Sequence, residues 1–205
     1  MKIRRWYLAF AGCLVLLLSA CSEPAPPVKK TEEKPEPVTG ESALFKMFQV
    51  ARTWDPRVQV LKLTSSHVAD VPEERGKAAA WEGVFVSPTQ SRSRTYTFSV
   101  VEQLPNLHKG VFSTGDEPFS GIKGESQPFL IDLLKIDSDK AYETALTKAG
   151  DYEKKNPGKP ITLILEFTKR HPDPTWRVIW GESAGTSSFS VYVDASTGNF
   201  LEVMH

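Results

Sequence analysis

One stretch of the chain spells a catalytic motif. Gly181-Glu182-Ser183-Ala184-Gly185 matches G-x-S-x-G, the strained strand-to-helix turn that presents a serine hydroxyl to a histidine base, and Asp194 and His205 follow in the order Ser, Asp, His. Such a serine needs a strand before it, a helix after it and a large parallel sheet to hold its partners. A strand-like run does precede Ser183. Ser-rich sequence and another alternating run follow it, however, and 22 residues remain. A Gly/Ser/Ala hairpin loop accounts for the same residues, so a hydrolase acting through Ser183 ranks third among the readings of this chain.

The other candidates for chemistry are weaker. His67, His108, His171 and His205 stand singly, with no metal-spaced pair. Asp137-Ser138-Asp139 opens like a calcium loop but lacks the glycine and glutamate that such a loop requires, and helix capping explains it. No phosphate-binding glycine loop or dinucleotide fingerprint occurs. With 25 basic and 25 acidic residues there is no basic footprint for nucleic acid. The expectation is a protein without catalysis, metal, cofactor or nucleic-acid partner.

The elements that would position any site begin with an address. Lys2, Arg4 and Arg5 precede an apolar run from Leu8 to Leu18, and Leu18-Ser19-Ala20-Cys21 closes it. The run falls short of the roughly 20 apolar residues of a membrane span. This pattern resembles a bacterial lipoprotein signal with its lipobox; an ordinary signal peptide or an uncleaved anchor is the competing reading. The resemblance implies cleavage after residue 20 and lipid on Cys21, and Ser22 in place of Asp favours the outer membrane, facing the periplasm. The processed chain would carry 22 basic against 25 acidic residues and no free thiol. Residues 21–40 hold Pro24, Pro26, Pro27, Pro35 and Pro37 among alternating Lys and Glu, a composition that cannot bury surface to offset chain entropy. They read as a tether reaching roughly 60 Å if fully extended.

From Glu41 the pattern becomes periodic, and the order of elements occurs twice. Leu44, Phe45, Met47, Phe48, Ala51 and Trp54 recur at helical spacing up to Asp55-Pro56. Strand-like runs follow at Val58 to Thr64, Trp81 to Ser87, Arg94 to Val101 and Gly110 to Ser113. A second helix is capped at Asp137 and ends at Asn156-Pro157-Gly158, followed by runs at Ile161 to Thr168, Trp176 to Gly181, Ser188 to Asp194 and Phe200 to Met204. Strict alternation marks antiparallel meanders with one buried face. The expected fold class is α+β, with two tandem units, 41–120 and 121–205, each a helix packed on a four-stranded antiparallel sheet. Trp54, Trp81, Trp176 and Trp180 read as core aromatics.

Lys135-Ile136-Asp137-Ser138-Asp139-Lys140-Ala141 at the second helix start, and Val191-Tyr192-Val193-Asp194-Ala195-Ser196-Thr197-Gly198 before the last strand, resemble a PepSY-type domain. In the second motif Asp194 can cap the turn and Gly198 can supply the positive φ of the hairpin. The first half resembles that domain only in element order. The duplicated plan is also similar to the β-lactamase-inhibitor protein. These resemblances imply a noncatalytic extracytoplasmic module that binds a protein, inhibiting a peptidase or assisting envelope assembly; a periplasmic small-ligand carrier is the alternative. Contacts with a partner are expected at the charged loop containing Glu73, Glu74 and Arg75, and along Ser113 to Pro128.

Overall fold

A computed structural model describes residues 34–205, apart from 73, 104, 122 and 123. The expected leader, Cys21 and most of the proline-rich segment lie outside the described residues, as does Glu73. Residues Lys34–His205 form one compact unit.

In chain order the elements are β1 (Val38–Thr39), α1 (Gly40–Trp54), β2 (Gln59–Ser66), β3 (Lys77–Ala78), β4 (Ala80–Ser87), β5 (Arg92–Ser99) and β6 (Gly110–Pro118). Then come β7 (Ser126–Gln127), a 3₁₀ turn (Ile131–Leu133), α2 (Ser138–Lys155), β8 (Ile161–Thr168), β9 (Thr175–Trp180), β10 (Ser190–Asp194) and β11 (Phe200–Met204). The fold is α+β. Each half pairs a helix with four strands, and every pairing is antiparallel.

The two sets of four strands are one sheet. Its order is β11-β10-β9-β8-β2-β4-β5-β6, and the short β7 also pairs with β8. The first strand of each half meets the other at the centre, with Leu63 opposite Leu165 and Thr64 opposite Ile164. The halves expected on either side of residue 120 therefore share a sheet and a single hydrophobic core.

That core lies on one face. Trp81 and Phe85, Tyr96 and Phe98, Leu163 and Leu165, Trp176, Val178 and Trp180, and Val191 and Val193 alternate along their strands toward the helices. Trp81, Trp176 and Trp180 are completely buried, whereas Trp54 is half-buried with the Arg94 guanidinium 4.6 Å from its ring centroid. The intervening strand residues point to the opposite face, on which neither helix packs.

Two boundaries differ from the sequence reading. The tether does not run to Gly40: Val38 and Thr39 pair with Ala78 and Lys77, Thr39 caps α1, and Gly40 is buried as its first residue. β6 runs on to Pro118 because Asp116 and Glu117, which read as loop, still pair with Arg94 and Ser93. The charged loop is anchored as well, because Gly76 is buried and its carbonyl accepts from Ser138 Oγ at 2.6 Å.

Candidate protein-binding face

The register of the sheet lines up one residue from each of its eight principal strands. Glu202 stands opposite Tyr192, Tyr192 opposite Arg177, and Arg177 opposite Ile164. The row continues through Thr64, Glu82, Thr97 and Phe112. All eight occupy the helix-free face by strand alternation, and at about 4.8 Å per strand the row spans roughly 34 Å.

Its second-half end is the most elaborated. The Tyr192 ring, 6 % exposed, has the guanidinium groups of Arg170 and Arg177 each 5.4 Å from its centroid. Arg170, beyond the end of β8, grips Glu202 with Nε and one terminal nitrogen, the latter at 2.8 Å. That donation holds the Glu202 carboxyl below the usual carboxylate range, while burial pushes the Tyr192 phenol up. His171 Nε2 lies 3.0 Å from Glu202, outside hydrogen-bond geometry, and its ring is 5.5 Å from that of Tyr192. Arg177 is aimed by Nε donation to Ser190 Oγ at 3.1 Å. The arrangement holds a buried aromatic against two cations, with the carboxylate that orients one of them beside it. Tyr and Arg held in this way are the side chains that dominate protein interfaces.

The residues of the catalytic motif are engaged elsewhere. Ser183 Oγ lies 2.8 Å from Thr186 Oγ1 in the β9–β10 loop, and β10, a strand and not a helix, is the next element. The Asp194 carboxylate accepts from the backbone N–H groups of Ser196 and Thr197, both at 2.8 Å, and His205 packs its ring on Phe189. Gly198 follows with φ +77° and donates its N–H to the Asp194 carbonyl at 2.9 Å. Asp137 caps α2 through its carboxylate. Among the described residues no three His, Cys, Asp or Glu side chains group to hold a metal ion.

Glu74 and Arg75 are exposed, and Glu74 bridges Lys77 across the turn that Arg75 and Gly76 make. None of the described hydrogen bonds or ion pairs joins them to the row. The sequence reading missed Arg170, Arg177, Tyr192 and Glu202. The available signal was that Arg177 and Tyr192 occupy the polar phase of strands whose other phase is wholly apolar.

An open groove of about 940 Å³ lies at the C-terminal end of α1, lined by Phe48, Arg52, Val58, Leu130 and Ile131 among others. No tryptophan lines it.

Comparison with known proteins gives three findings. No curated protein matches the chain. Among solved structures, one of a candidate lipoprotein from Clostridium difficile 630 aligns with a TM-score of 0.44 and 9 % identity, covering 84 % of this chain and 95 % of that one. The family model described as "Peptidase propeptide and YPEB domain" matches residues 135–204, which hold α2, β8 to β11 and the Arg–Tyr–Glu end of the row. Residues 135–204 are thus similar to a PepSY domain.

Proposed function

We propose that this chain is a noncatalytic cell-envelope lipoprotein whose body binds a protein across the helix-free face of its sheet. The observation that carries the reading is the Arg170–Tyr192–Arg177 stack in the PepSY-like domain, at one end of a row that crosses every principal strand. Lipid on Cys21 anchors the chain in the outer membrane, the proline-rich tether holds the body in the periplasm, and the first half serves as a second PepSY-like unit that lengthens the face. Among the described residues no helix is long and apolar enough to cross a membrane. Asp194 and Gly198 are structural in this reading, shaping the turn that sets β11 beside β10. Peptidase inhibition and assistance in envelope assembly both require such a face. The alternative, a small-ligand carrier, draws on the groove at the end of α1, which lacks the enclosing aromatic walls of a ligand pocket.

Two experiments test the proposal. Full-length chain captured from solubilised envelopes should bring down a discrete protein that Arg177→Glu loses; equal capture by both chains would remove the face from the account. Cys21→Ser should abolish incorporation of labelled palmitate and release from the leader, and normal labelling of that variant would overturn the anchor.

A further inference from the structure

β6 is the outermost strand on the first-half side of the sheet, and among the described residues only β5 pairs with it. An open edge offers a row of unpaired backbone groups, and proteins guard such edges with bulges, charges and proline. β6 carries all three guards in its second half. Thr114 and Gly115 together oppose Thr95 as a bulge, and Asp116, Glu117 and Pro118 follow. Its first half, Gly110 to Ser113, has none of them, and Phe112 there is 49 % exposed on the helix-free face.

Charge identifies what this half fits. Consider two β6 strands laid antiparallel about a two-fold axis at Phe112. Phe112 then faces Phe112, Val111 faces Ser113, and Gly110 faces the Thr114–Gly115 bulge. Counting the bulge as one position brings exposed Lys109 of each copy opposite Asp116 of the other. Asp116 already binds Arg94 through Oδ1, and among the described residues no hydrogen bond or ion pair engages Oδ2. Centring the pair on Val111 puts Lys109 opposite Ser113, and centring it on Ser113 puts Lys109 opposite Pro118, so one register alone matches charge. The chain itself provides the precedent, because its two halves are joined edge to edge by antiparallel pairing of β2 with β8.

We propose that the unguarded half of β6 pairs with β6 of a second copy, Phe112 against Phe112, so that one sheet runs through both molecules. The contact is short. It falls well below the roughly 800 Å² per partner of a standard interface, so it forms where copies are concentrated on a surface. The inference rests on the proposed lipid anchor for that concentration, and it shares Phe112 with the end of the row.

Cysteine cross-linking reads the pairing directly. A residue on the two-fold axis faces itself at about 4.5–5.5 Å between Cα atoms, within disulfide range. Full-length chain carrying Phe112→Cys, in native membranes under mild oxidation, should form a disulfide dimer at least tenfold faster than Phe200→Cys, whose position is exposed at the opposite edge. The parent chain supplies the background from Cys13 and Cys21. Adding Lys109→Glu should slow the dimer severalfold, and Lys109→Arg should preserve it, with unchanged melting curves showing that each variant folds. Equal rates for Phe112→Cys and Phe200→Cys, indifference to Lys109→Glu, or an adduct with a different protein in place of the dimer would overturn the proposal.

Discussion

Trp81 and Trp176 meet edge to face, their ring centroids 6.3 Å apart and their planes at 70°. Each opens the second strand of its half. Each also donates its indole N–H to the carbonyl two residues before its helix begins, Trp81 to Val38 at 3.1 Å and Trp176 to Ile136 at 2.8 Å. The same polar contact thus occurs twice, and the two copies of it touch. The helix starts converge at this point: Ser138 Oγ accepts from Gly40 N–H at 2.7 Å, and Asp137 Oδ1 accepts from both Glu41 and Ser138 N–H. One carboxylate therefore answers the positive ends of both helices. Two aromatic anchors and two shared caps make one body of the two halves.

Gly40 is the tightest point of that junction. A Cβ there would lie 2.5 Å from Trp176 Cη2, and both tryptophans are packed too closely to yield. Gly40→Ala should therefore cost about 1–3 kcal/mol in urea unfolding. Gly150→Ala, inside α2 with open space around it, should instead stabilise by about 0.5–1 kcal/mol. Similar effects at the two sites would mean that the junction is loose.

The β10–β11 turn gives a second test. Gly198 holds φ +77°, and a side chain added there would begin 3.4 Å from Ile136 Cδ1. Gly198→Val should lower stability by about 1 kcal/mol or more. Asp194→Ala removes the acceptor of two backbone N–H groups and should cost about 1–3 kcal/mol. Unchanged melting temperatures would contradict this picture of the turn.

Acid sensitivity should trace to Asp55. Its carboxylate, 3 % exposed at the end of α1, accepts from Ser87 Oγ, Thr89 Oγ1 and the Arg57 N–H. These donors, Ser87 foremost, hold its pKa below the ordinary aspartate value. A carboxylate lowered by folding stabilises above its unfolded pKa of about 3.9, and the contribution is lost as pH falls through the folded value. Asp55→Asn should therefore be less stable than the parent at neutral pH, with the gap closing below about pH 4. Parallel pH profiles would show that the Asp55 charge contributes nothing.

Much of this fold can be read in the sequence because its signals are local. Both helices, the Asp137 cap and all eight principal strands follow from spacing and alternation. What local pattern misses is pairing between distant segments. The run Val58 to Thr64 gives no sign that it joins Ile161 to Thr168, so the single sheet was not legible. Nor was the binding row, since Glu82, Arg177 and Tyr192 become neighbours of one line only through register. Gly40 follows a proline-rich stretch and reads as linker, because its need for a small residue is set by Trp176 more than a hundred positions away. β1 and β3, two residues each, are too short to show any period.

The central claim is that a protein lies across the helix-free face, and proximity tests it most directly. A photo-reactive phenylalanine analogue at Glu82, exposed on the first-half side of the row, should yield one discrete adduct with a different protein in native envelopes. The same group at Gln49, exposed on α1, should yield none. Adding Arg177→Glu should weaken the Glu82 adduct by about tenfold or more, the loss expected when an interface anchor is reversed. Equal labelling from Glu82 and Gln49, or an adduct indifferent to Arg177→Glu, would contradict the account.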